Sequence, residues 1–144
     1  MSESRQNRDA ILSKVESMLN APEQTFVLST LTEDGYPDAG LMGNICDKSL
    51  TEIYFTCQVG TRKTDEILKN PKSSVYFTAD AVTVWLYGDA TVTTEETVRR
   101  KIWNSRVLRI YPEGVDSPRL AVIRFVPGKL RFREKSVGYI EFDL

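Results

Sequence analysis

Gly60-Thr61-Arg62-Lys63-Thr64-Asp65-Glu66-Ile67-Leu68-Lys69-Asn70-Pro71 lies between two β-rich apolar runs, Ile53-Tyr54-Phe55-Thr56-Cys57 and Ser73-Ser74-Val75-Tyr76-Phe77. The stretch reads as a short helix over Arg62 to Lys69. Thr61 is placed to cap it, Asp65 and Glu66 stand in its early turns, and Asn70-Pro71 stops it. The start of such a helix offers unpaired backbone N–H groups and a partial positive charge. Arg62 and Lys63 add two cations there, and Thr61 a hydroxyl. A phosphate monoester would find its partners at that point. The alternative is a solvated basic helix start balanced by its own acids.

Working outward, the order strand, Gly-Thr-Arg-Lys, short helix, Asn-Pro, strand resembles the phosphate-binding segment of the pyridoxamine 5′-phosphate oxidase-like, FMN-binding split-barrel superfamily. Within it the chain is most similar to the general stress protein group. Tyr111-Pro112-Glu113-Gly114-Val115-Asp116-Ser117-Pro118, followed by the strand Leu120 to Val126, is similar to that group's link into its last strands. The resemblance covers roughly Thr25 to Glu134. It implies a mostly β fold with short helices: a six-stranded antiparallel split β-barrel with flanking helices. It also implies a bound FMN, with FAD allowed, at the interface of a homodimer, and oxidoreductase chemistry on an unknown small molecule.

By the same resemblance, Thr61, Arg62 and Lys63 hold the phosphate. Leu41, Met42, Gly43 and Asn44 on the second strand, with Phe55 and Thr56 on the third, line the ring or ribityl chain, and Thr83 faces the flavin. Three positions depart from the pattern. The oxidases usually carry an Arg where this chain has Gly40, and many members a Gln near Thr83. A Trp often stands near Arg133, where Phe132 is the nearest aromatic. The true oxidases also grip their substrate with an Arg-x-His near the C-terminus, and this chain has no His. No catalytic residue stands out. A flavin-binding stress or sensor protein without turnover, or a degenerate barrel that binds no flavin, remains open beside the enzyme.

The 144 residues suffice for one domain with its own core. Three parts are expected: a helix over residues 8–20, the barrel over 25–134 and a tail over 135–144. Apolar content of 41% and charged content of 27% are those of an ordinary globular chain. A net charge of −1 supplies no field for nucleic acid, and Arg99-Arg100-Lys101 reads as the solvated side of a helix. The lack of His excludes His triads and His metal sites, and Cys46 and Cys57 form no metal motif. Two scattered cysteines, a polar N-terminus and no apolar run near the roughly 20 residues of a membrane span lead to an expectation of a reduced, cytoplasmic protein.

In the helix over 8–20, Ile11, Val15, Met18 and Leu19 recur at helical spacing, and the helix is expected to cover one end of the barrel. Thr25 to Leu31 is β-branched and apolar, Glu33 to Pro37 is turn chemistry, and a second strand is expected over about Asp38 to Cys46. Gly40 and Gly43 within it mark either a bulge or a close approach of ligand. Strands follow over Glu52 to Cys57, Ser73 to Ala79 and Ala81 to Thr93. Val82, Val84 and Leu86 on one face of the last, with Trp85 and Tyr87 on the other, imply cover on both sides, as at a subunit interface. One helix is expected from Thr94 to about Leu108. Two final strands, Leu120 to Val126 and Lys129 to Arg133, are joined by Pro127-Gly128. Ser136 to Leu144 shows no motif.

Overall fold

The computed structural model describes residues 3–44 and 46–144. Helix α1 spans Glu3–Leu19, β1 Phe26–Leu31, β2 Pro37–Met42, β3 Ile53–Gln58, α2 Arg62–Lys69, β4 Lys72–Ala79 and β5 Val82–Thr93. Two short helices, α3 Glu96–Ile102 and α4 Ser105–Ile110, precede β6 Leu120–Glu134 and β7 Gly138–Asp143. All pairings are antiparallel. The strands run in the order β2-β1-β4-β5-β6-β3, with β7 paired to β6 off that path. The sheet does not close, because β2 and β3 at its two ends do not pair. This is the split barrel that the resemblance implies, with a seventh strand added.

Period-two alternation decides which face each strand buries. Val82, Val84 and Leu86 of β5 point inward with Phe26 and Leu28 of β1, Val75 and Phe77 of β4, and Leu130 and Phe132 of β6. Phe26 packs edge-on against both Phe55 and Phe77, with ring centroids 5.8 and 5.2 Å apart. Helix α1 contributes Ile11, Val15, Met18 and Leu19 to the same core, as its spacing implies. A second cluster under α3 and α4 joins Tyr54, Ile102, Val107, Tyr111, Leu120 and Val122.

The long strand β6 is the spine. Along one edge it pairs with β5; along the other it takes β3 at Leu120–Phe125 and β7 at Lys129–Glu134. The expected break at Pro127-Gly128 is therefore absent, and the strand runs through it. Gly88 pairs with Pro127 and Tyr87 with Lys129, so Gly128 is the extra residue of a bulge. Pro127 lacks an N–H, and on that edge it falls between the end of β3 and the start of β7, where no ladder bond is needed.

Other boundaries also differ from the sequence expectation. Strand β2 stops at Met42, well before Cys46, because Asn44 turns back to clamp α1: its Nδ2 donates to the Leu19 and Ala21 carbonyls at 3.0 and 2.7 Å. Ile45, within that expected strand, lies outside the described residues, as do Met1 and Ser2 of the polar N-terminus. The helix expected from Thr94 to Leu108 is two helices, because Asn104 caps the second one: its Oδ1 accepts from the Arg106 and Val107 N–H groups at 2.8 and 3.0 Å. The motif-free tail forms β7, with Ile140 and Phe142 packed against the core. Among the described residues no helix is long and apolar enough to cross a membrane.

Candidate functional site

Helix α2 starts as its sequence implies. Thr61 is extended at φ −75°, ψ 161°, and its side chain accepts from the Thr64 N–H. Buried Thr64 and Ile67 dock the helix on the barrel. The first-turn N–H groups ahead of Thr64 have no acceptor within the helix.

The two cations at this start behave differently. Arg62 lies outward, its side chain 75% exposed, and among the described residues it is engaged through Nε: 3.2 Å from Glu66 Oε2 and 3.3 Å from Asp38 Oδ2. Lys63 turns inward between β1 and β2. Its Nζ donates to the Leu28 carbonyl at 3.2 Å, Thr30 Oγ1 at 2.9 Å and the Asp38 carbonyl at 2.6 Å. Thr30 in turn donates to Glu66 Oε1 at 2.7 Å. Arg62, Glu66, Thr30, Lys63 and Asp38 thus form a closed polar ring. Burial pulls the Lys63 ammonium below the usual lysine range, and the Asp38 and Glu66 charges oppose it. Burial works to raise Glu66, but hydrogen bonds from Thr30 and Arg62 and the Lys63 charge outweigh it, so this carboxyl is lowered.

The barrel also carries a hollow whose lining includes no residue of α2. Leu41, Met42, Gly43, Phe55, Thr56, Ile110 and Tyr111 line about 200 Å³ of it. It lies between β2 and β3, the two strands whose failure to pair opens the barrel. Leu41 on its rim is 75% exposed, whereas Phe55 is buried and shared with the core. Ile110 and Tyr111, at the end of α4, escaped the sequence reading. Their signal lay in Tyr111-Pro112, taken only as a link. Burial pushes the Tyr111 hydroxyl up, with a hydrogen bond to Thr56 opposing it.

The ten expected contact residues therefore divide. Leu41, Met42, Gly43, Phe55 and Thr56 meet around the hollow, and Thr61, Arg62 and Lys63 gather at the α2 start. Asn44 is buried with its side chain committed: its Nδ2 holds α1 and its Oδ1 accepts from Lys48 at 2.8 Å. Thr83 lies away from the hollow on the outer face of β5, beside Thr78 and Arg133. Phe132 is in the core and presents no ring to a ligand. At Gly40, the space a side chain would fill is already taken: a Cβ built there stands 3.0 Å from Lys63 Cε.

A family profile described as pyridoxamine 5′-phosphate oxidase matches residues 11–134 of the chain. Among curated proteins no match is found. Solved structures with this fold include a Clostridium acetobutylicum protein related to general stress protein 26 of B. subtilis. It is 20% identical, with a TM-score of 0.82 over 94% of this chain and 95% of that one. A putative pyridoxamine 5′-phosphate oxidase from Listeria innocua is 25% identical, with a TM-score of 0.70 over 85% of this chain and 97% of that one. A heme binding protein from Mycobacterium smegmatis, 14% identical, gives a TM-score of 0.68 over 89% of this chain and 56% of its own. The profile spans nearly the whole barrel and the fold agrees with it, so the chain belongs to the pyridoxamine 5′-phosphate oxidase family.

Proposed function

We propose that the protein binds FMN between the subunits of a homodimer, with the phosphate at the start of α2. The observation that carries this reading is the hollow in the split between β2 and β3, which gathers five of the expected flavin contacts. The residues at the helix start fit a phosphate in part. Among the described residues the terminal nitrogens of Arg62 make no hydrogen bond; the first-turn N–H groups stand beside them, and so does the Thr61 hydroxyl, which is bonded to Thr64.

A second copy of this chain is the partner that completes the site. At about 200 Å³ the hollow is below the roughly 300–1,000 Å³ of a finished small-molecule pocket. Its rim residue Leu41 also begins a row across the outer face of the sheet: Leu41, Val27, Tyr76, Trp85, Arg131 and Glu141, each paired with the next across adjacent strands. Packing that row against its counterpart would cover the aromatic residues and wall the hollow at once.

Bound FMN would supply the electron and hydride chemistry, while the protein binds, orients and shields it. A carrier or sensor without turnover is favoured by one observation: the lining of the hollow offers the Thr56 and Tyr111 hydroxyls but no carboxylate, Lys or His to move a proton. With no His in the chain, the oxidases' Arg-x-His grip on pyridoxamine phosphate is missing, and that reaction should be absent. Arg62→Ala tests the site. Losing one charge-assisted bond of about 1.5–3 kcal/mol should weaken FMN roughly ten- to a hundredfold and leave riboflavin, which has no phosphate, nearly unaffected. Equal FMN affinity in the two proteins would contradict the phosphate site. Turnover of FMN-loaded protein with NADH or NADPH separates an enzyme from a carrier.

A further inference from the structure

We infer that Lys63, the second cation of the Thr61-Arg62-Lys63 start, is a strut matched to Gly40 and not a phosphate ligand, so that the phosphate preference of this site rests on Arg62. The inference deepens the flavin reading and depends on it for the ligand, though not for the strut.

An ammonium has three N–H donors, and all three of Lys63 are spent on oxygens of the barrel: two carbonyls and one hydroxyl from β1 and β2. Turning toward a phosphate would cost at least one of those three bonds. The Lys63 stem lies where a side chain on Gly40 would go, with Cε 3.0 Å from the position of a Cβ. A side chain at that position would press the lysine stem aside by a few tenths of an ångström, against the three bonds that hold its Nζ. The carboxylates within the polar ring, Asp38 and Glu66, offset the two cations, so the cluster presents little net charge to an arriving dianion. Of the two cations, Arg62 alone keeps donors unspent among the described residues, and its side chain is 75% exposed. Lys63 therefore acts through position. It fixes α2 against β1 and β2, and so fixes where Arg62 and the free N–H groups stand.

The test has two arms. In the first, thermal unfolding is measured for Gly40→Ala, Lys63→Ala and the double variant. An alanine usually strengthens a strand relative to glycine. Here Gly40→Ala should lower Tm when Lys63 is present and leave it level or raise it when Lys63 is already alanine, so the two changes are strongly non-additive. Additive shifts would overturn the pairing. In the second arm, FMN and riboflavin are titrated into wild type, Arg62→Ala and Lys63→Ala. Lys63→Ala should weaken both ligands by the same factor, within about twofold, while Arg62→Ala lowers FMN alone by roughly tenfold or more. Tenfold loss of FMN with riboflavin unchanged in Lys63→Ala would overturn the inference and leave the flavin site standing. If wild type bound neither flavin, the proposed function would fall and the unfolding cycle alone would decide the strut.

Discussion

Gly88 has no room for a methyl group. A Cβ there would stand 2.1 Å from the Val126 carbonyl oxygen and 2.9 Å from Pro127 Cα, both backbone atoms that cannot swing aside. Gly88→Ala should therefore cost about 1–3 kcal/mol or more by forcing β5 and β6 apart at the bulge. Urea denaturation that shows wild-type stability would remove this account of the bulge. Lys48 is the other residue whose environment has a measurable consequence. It is buried, donates to Asn44 Oδ1 and the Cys46 carbonyl at 2.8 Å each, and stands 5.1 Å over the Phe26 and Phe55 rings. Burial pushes its pKa from 10.5 down to about 8. Between those values the unfolded chain binds more protons at this position than the folded one, so the lysine's contribution to stability rises with pH across that window. The stability of wild type minus that of Lys48→Met should climb from pH 8 to 10.5; a flat difference would contradict it. At this scale the sequence was half legible. Thr61-Arg62-Lys63 could be read as a cationic helix start from its own residues. Which oxygens each cation meets could not, because Thr30 and Asp38 come from distant strands.

Among the elements, legibility followed periodicity. Helix α2, strand β1 and the alternation of β5 emerged from their residues because cap, stop and apolar face agree in each. The break between α3 and α4 was missed because the apolar spacing of Val98, Ile102 and Val107 continues across it. What interrupts the backbone is Asn104, whose side chain takes over the acceptor role for the next helix. Asn104→Ala should cost about 1 kcal/mol, as the loss of an N-cap usually does. A variant as stable as wild type in chemical denaturation would show that the cap is incidental. Strand β7 was missed although Ile140 and Phe142 alternate with Tyr139, Glu141 and Asp143. Its charged outer positions hid a short edge strand that β6 completes, and edge strands commonly carry such charges. The stop of β2 at Met42 had a similar cause: the Asn44 clamp on α1 is a long-range contact with no local signature.

For the whole molecule, the split barrel was legible and its assembly less so. The outer face carries a stacked set in which Trp85 lies 5.8 Å from Tyr76 and 6.1 Å from Tyr139, with the Arg131 guanidinium 4.5 Å from the Trp85 ring and 4.7 Å from that of Tyr139. Leu41 and Tyr87 extend it, both exposed in a single chain. Tyr76, Tyr87 and Tyr139 stand exposed in the single chain, and aromatic faces of this kind are what interfaces cover. A dimer is the expected state in sedimentation at micromolar concentration, and Trp85→Glu should shift it toward monomer. A wild-type monomer would contradict the covered face. The central claim is that this family member holds FMN in the split between β2 and β3, completed by its partner. Its most direct test is an equilibrium titration of the purified protein with FMN, followed by flavin fluorescence, with heme titrated in parallel. The account predicts saturable FMN binding at one flavin per chain; no saturation with FMN, or saturation with heme alone, would contradict it.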